Sequence, residues 1–172
     1  MRRFLTPLVV ITVMLLGLVM TGSMSTTAQE ATPAAIPPVL VAWSEAWDAL
    51  DAKAIAALYT EDGVMEDVPA GIEARGRDEI AAAFGGTMAG IAESRNEPLS
   101  GFRAGNLAVM EYEVTAVDAA SGQKFSFRGA LIAELEGDRI RHSREYYDVA
   151  TILGQLGLLD MGGASAEATP TS

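Results

Sequence analysis

Near the end of the chain, three side chains able to move protons or hold developing negative charge fall at two- and four-residue steps. They are His142, the only imidazole in 172 residues, Arg144 and Asp148. Successive side chains of a strand point to opposite faces, so Ile140, His142, Arg144 and Tyr146 share one side. Asp148 continues that parity if no bulge intervenes. Facing a cavity, such a row could relay a proton through imidazole or carboxyl and hold an oxygen gaining charge on the guanidinium. The opposite parity carries Arg139, Arg141, Ser143 and Glu145 and reads as a solvated face, which favours the inward assignment for His142 and Arg144. Competing readings are a surface or hydrogen-bonded histidine, and a structural ion pair of Arg144 with Asp148 or Asp67. Asp148 also precedes a helix and could be its N-cap, a role that would lower its pKa.

Other chemistries are excluded by what the chain lacks. Without Cys there is no thiol nucleophile, zinc–cysteine site or disulfide framework. One His cannot build a usual zinc site, and Glu61, Asp62, Glu66 and Asp67 lack the loop spacing of a calcium-binding hand. Gly85-Gly86 is followed by no Lys, so neither metal nor nucleotide cofactor is expected. Acidic residues outnumber basic ones 23 to 12 for a formal charge of −11. A chain without a basic face is a poor nucleic-acid binder.

The elements that must position these residues change period part-way along. Val39, Trp43, Ala46, Trp47 and Leu50 recur at helical steps, so the first helix carries both tryptophans on one stripe. Asp51 can cap a second helix ending at Glu61-Asp62-Gly63. Val64 to Val68 reads as a short strand closed by Pro69-Ala70-Gly71, with Glu66 and Asp67 on opposite faces. Asp78 and Glu79 suit the first turn of a third helix bearing Ile80, Ala83, Phe84 and Met88. Thereafter strands follow one another: Leu99 to Arg103, Leu107 to Val117, Lys124 to Leu135 and Arg139 to Tyr147, joined by hairpin-type turns. A short helix, Val149 to Leu156, stops at Gly157. Helices first and a meander later is an α+β pattern, a curved antiparallel sheet with helices on one face.

Ahead of this domain, Arg2 and Arg3 precede an uncharged run from Phe4 to Met20 and a small-residue site, Thr26-Thr27-Ala28. This reads as a secretory signal, residues 1–28, cleaved after Ala28, and hence as a secreted or extracytoplasmic protein. The competing reading is an uncleaved membrane tether, for which the run falls just short of the ~20 residues that span a bilayer. Residues 29–38 are a Pro/Ala linker, 39–160 one domain, and 161–172 a small-residue tail.

The element order, the string AWSEAWDALDAKAIAALYTEDGVMEDVPAG, the GDRI of Gly137 to Ile140 and the ending HSREYYDVATILGQLGL resemble the SnoaL-like branch, named for a polyketide cyclase, of the nuclear transport factor 2-like superfamily. The resemblance spans Val39 to Leu159. It implies a cone-shaped α+β fold with a deep pocket between the concave sheet and the N-terminal helices, and a homodimer through the outer sheet face. It places Asp148 where the cyclases carry an acid/base, with His142 or Arg144 orienting the substrate oxygen. The pocket would be lined by Trp43, Trp47, Tyr59, Asp67, Phe84, Tyr112, Phe127 and Tyr146, although aromatic stripes also serve as plain core. The implied ligand is a small apolar, aromatic or polycyclic molecule handled without a cofactor. Two further readings stand beside it: a binding module without catalysis, and a dimerisation scaffold.

Overall fold

Proline opens the first helix where its missing N–H costs nothing: α1 spans Pro38–Asp48 and buries Leu40, Trp43, Ala46 and Trp47 as one stripe. The computed structural model describes residues 35–159. The expected signal, most of the linker and the C-terminal tail lie outside the described residues. Asp51 caps α2 (Ala52–Ala57), its carboxylate accepting from the Ala54 amide at 2.9 Å. The expected second helix ran on to Gly63. Instead it stops at Ala57, and β1 (Tyr59–Asp67) begins almost at once.

Arg139 and Arg141 explain part of that early strand start. Their guanidiniums donate to the carbonyls of Ala57 and Asp62, fixing the chain as it enters the sheet. At the far end of β1 the Ala70 amide donates to Asp67 at 3.1 Å, and Gly71 adopts φ 66°. This turn leads into β2 (Ile72–Arg75), a strand too short for its alternation to show in the sequence. Helix α3 (Gly76–Met88) follows, with Ile80, Phe84 and Met88 buried and the Glu79 carboxylate accepting from the Arg75 amide.

Four more strands complete the sheet: β3 (Ile91–Ala104), β4 (Leu107–Asp118), β5 (Lys124–Glu136) and β6 (Arg139–Tyr147), before the short α4 (Val149–Gln155). Their spatial order is β2-β1-β6-β5-β4-β3. Pairing is antiparallel except between β1 and β6, which run parallel. Strand β3 starts eight residues earlier than its alternation suggests. It forms a sheet edge, where Glu93, Arg95, Glu97 and Pro98 discourage further pairing and mask the apolar period. The α+β architecture read from the sequence is the architecture observed.

One sheet face meets the helices. Along β4 it carries Ala108, Met110, Tyr112, Val114 and Ala116, all buried, and Leu131, Ala133, Leu135 and Ile140 continue it across β5 and β6. Trp43 sits at its centre, edge-on to Trp47 and Phe84 and tilted against Tyr112. Each large side chain fully withdrawn from water contributes about 1.5–3 kcal/mol. This aromatic cluster therefore anchors α1 and α3 to the sheet.

Candidate functional site

The decisive local feature lies in β6. Leu135 pairs with Ile140 but the preceding Glu134 pairs with His142, so Arg141 is an extra residue, a β-bulge. A one-residue slip exchanges the two faces of everything beyond it. The inward parity expected for His142, Arg144 and Tyr146 is thereby reversed. Ser143 and Glu145 turn into the core, 1% and 6% exposed, while Tyr146 is exposed on the outer face. His142 lies on that face too, hydrogen-bonded to Glu66, and Arg144 reaches Glu134 at 3.5 Å. Glu66 points outward and Asp67 inward.

Asp148 does not reach the interior. It is the N-cap of α4, its carboxylate accepting from the Thr151 amide at 3.1 Å and from the Thr151 hydroxyl at 2.6 Å. Those two bonds, the hydroxyl's first, hold its carboxyl below the usual range. The expected row of His142, Arg144 and Asp148 is thus broken up by the bulge and by capping.

Between α1, α3, α4 and the inner sheet face lies a cavity of about 220 Å³, below the roughly 300–1,000 Å³ usual for drug-sized ligands. Its walls are mostly apolar, with Met65, Phe84, Val114, Phe125, Phe127 and Ile152 prominent. Ile72, Thr87 and Gly90 border it and are exposed, which marks where it opens. Of the residues expected to line a pocket, Trp47, Asp67, Phe84 and Phe127 do so. Trp43, Tyr59 and Tyr112 are fully buried outside its wall, and Tyr146 borders a depression on the outer face with Asp148.

Two carboxylates face this cavity, Glu145 and Asp67. Glu145 accepts a short hydrogen bond from the Tyr112 hydroxyl, and Asp67 accepts from Tyr147 at 3.0 Å. Burial pushes the Glu145 carboxyl up to about 7; the Tyr112 bond pulls it back and the nearby Asp67 charge raises it further. Both tyrosine hydroxyls are pushed above their ordinary value, first by burial and then by a neighbouring carboxylate, Glu145 for Tyr112 and Asp67 for Tyr147. Behind them Tyr59 and Ser143 share a buried hydrogen bond of 2.7 Å.

Two more polar groups stand at the wall without partners. The Trp47 indole N–H and both polar atoms of the Asn96 carboxamide are buried and make no hydrogen bond within the protein. The Asn96 backbone amide is tied to the Asp48 carboxylate, which holds the residue in place. An unsatisfied buried polar group costs about 1–3 kcal/mol, so its presence calls for a reason. No cluster of three or more His, Asp or Glu able to hold a metal ion occurs among the described residues.

Glu145 is the site residue that sequence reasoning misses, although a signal for it exists. Arg139 and Arg141 have one parity and His142 and Arg144 the other. An unbroken strand must therefore send one charged pair into the core. A bulge between them resolves the conflict, letting all three arginines reach water at the expense of one buried carboxyl, Glu145.

The family model described as SnoaL-like domain matches residues 40–143. No curated protein sequence matches the chain. Among solved structures, a protein from Catenulispora acidiphila with a ketosteroid isomerase-like fold, in complex with trimethylamine, is 25% identical, with a TM-score of 0.69 over 73% of this chain and 96% of its own. IdmH of Streptomyces antibioticus, described as a candidate polyketide cyclase, is 18% identical, with a TM-score of 0.61 over 69% and 96%. An LEH-like epoxide hydrolase of M. tuberculosis is also 18% identical, with a TM-score of 0.58 over 70% and 87%.

Proposed function

The chain belongs to the SnoaL-like family, and on that premise we propose that its cavity binds a compact, largely apolar molecule and moves a proton on it without a cofactor. The observation that carries this reading is Glu145, a carboxyl inside an apolar cavity and pushed up to about 7. Near neutrality such a group is present in both forms, so it can take a proton from carbon and give it back elsewhere on the same molecule. Tyr112 positions it. The acid/base role that the resemblance attached to Asp148 falls in this proposal to Glu145. The substrate oxygen that gains charge would be met by unpartnered donors, the Trp47 N–H and the Asn96 carboxamide, in place of His142 and Arg144. A cavity of about 220 Å³ suits a compact ligand better than a polycyclic one. The Catenulispora acidiphila relative, with trimethylamine as its ligand, is consistent with that size.

The test is deuterium exchange at the carbon next to the carbonyl of acetophenone and of 2-(dimethylamino)acetophenone, followed by proton NMR. Exchange should exceed that in buffer and fall by roughly 10²–10⁴-fold in Glu145→Gln. Binding of either ketone with exchange no faster than buffer would leave a binding module without catalysis. We further propose export through residues 1–28 and a homodimer through the outer sheet face. That face carries the exposed Phe102 and Tyr146 beside an Arg128 that pairs with Glu111 and Glu113. Sedimentation as a monomer at micromolar concentration would reject the dimer.

A further inference from the structure

Charge sorts sharply across the sheet. Asp67 and Glu145 face the cavity, and among the described residues no Lys, Arg or His lines it. Basic groups on the flanking segments are committed elsewhere. His142 and Arg144 lie on the outer face against Glu66 and Glu134, and Arg77 donates to the Tyr59 carbonyl. The cavity's two acids therefore receive only neutral donors: Tyr112 for Glu145, and Tyr147 and the Ala70 amide for Asp67. Five aromatic rings complete the wall, those of Trp47, Phe84, Phe125, Phe127 and Tyr147. Phe127 links the group, stacked at 6.4 Å on Phe125 and 5.3 Å from Tyr147.

An anionic ligand would be desolvated against like charge in such a place. A neutral one would leave the Asp67 carboxylate without a counter-charge. A compact organic cation satisfies both features, because ring faces attract alkylammonium groups and two carboxylates supply the balancing charge. We infer that the ligand of this cavity is a compact organic cation, a quaternary or protonated tertiary ammonium seated between the aromatic wall and the carboxylates of Asp67 and Glu145. This rests on the reading of the cavity as the ligand site and adds the ligand's charge to it.

Titration linkage follows. The titratable groups facing Glu145 are Tyr112 from β4, Asp67 and the buried Tyr59 from β1, and Tyr147 from its own strand; α1, α3 and α4 present Trp47, Phe84, Thr87 and Ile152, none of which titrates. Ionisation of Glu145 through about pH 7 should therefore strengthen cation binding, and the bound cation should in turn favour the ionised carboxyl.

Choline and 3,3-dimethylbutan-1-ol have nearly the same shape and differ in charge, which isolates this term. Calorimetric titration of the purified protein should show choline binding at least tenfold tighter than the neutral alcohol at pH 8, with the advantage shrinking at pH 5.5. Asp67→Asn and Glu145→Gln should each remove most of it. Asp67→Asn keeps the acceptor for the Ala70 amide, so it tests the charge with least disturbance to the fold. Equal or tighter binding of the neutral alcohol would overturn the cation assignment and leave the cavity as a ligand site. Choline binding unchanged in both variants would place the cation on the acidic surface and overturn it as well. Failure of both probes to bind at millimolar concentration would overturn the cation and count against the small-ligand cavity itself.

Discussion

Glu145→Gln offers a quantitative test of the site, because the variant keeps size and shape while removing the titration. The carboxyl is moved from its ordinary 4.5 to about 7. At 1.36 kcal/mol for each tenfold change in proton concentration, that displacement is worth about 3 kcal/mol. The sign follows from proton counting. Between pH 4.5 and 7 the folded protein holds the proton and the unfolded chain has released it. Folding stability from this group is therefore highest below about pH 4.5, declines as pH rises towards 7, and is constant above. Gln carries no such dependence. Urea denaturation of both proteins from pH 4.5 to 8 should show wild type losing about 3 kcal/mol relative to the variant over that window. Subtracting the two profiles cancels His142 and the surface carboxylates, which both proteins share. A difference that stays flat across the range would show that Glu145 ionises as an ordinary surface acid, and the case for a poised acid/base would fall with it.

Three further outcomes follow from the same geometry. In Gly129→Ala the new methyl carbon would lie 2.3 Å from the Tyr112 hydroxyl oxygen and 2.4 Å from a ring carbon, so the ring must move off Glu145. Overpacking of this kind costs about 1–3 kcal/mol and outweighs the roughly 0.4–1 kcal/mol gained by stiffening the unfolded chain; a variant as stable as wild type to urea would show that Tyr112 is not fixed there. Asn96→Val removes two orphaned polar atoms from an edge strand and should stabilise the protein by about 1–2 kcal/mol while weakening ligand binding, and a destabilised variant would reveal a partner for the carboxamide. Asp148→Ala frees the Thr151 amide and hydroxyl and should lower Tm slightly, with affinity for the cavity ligand unchanged; lost affinity in a folded variant would return Asp148 to the site.

The sequence by itself determined the architecture. A stripe of Leu40, Trp43 and Trp47 at helical spacing, the Asp51 cap, and the alternation of Met110, Tyr112 and Val114 are local signals. Each survives folding because burial and capping act on the residues that carry them. Polar edges were less legible: β2 and the first half of β3 lack an apolar period because an edge strand is built to stay in water. The site depended on something further. Trp47, Asp67, Phe84 and Phe127 reach the cavity as the family resemblance implies, but His142 and Arg144 leave it and Glu145 enters it, because one extra residue at Arg141 exchanges the faces of β6 beyond it. Whether a bulge forms is decided by which strands flank β6 and which arginines find carbonyls beside them, Arg139 on Ala57 and Arg141 on Asp62, and those partners are about 80 residues away in the chain. Tertiary structure alone therefore decided that Glu145 is buried beside Asp67, whereas the cap at Asp148 was one of two readings the sequence offered and the structure selected it. Burial beside another acid raises a carboxyl's pKa and capping lowers it, so the fold, and not the residue type, sets which of these acids can hold a proton near neutrality.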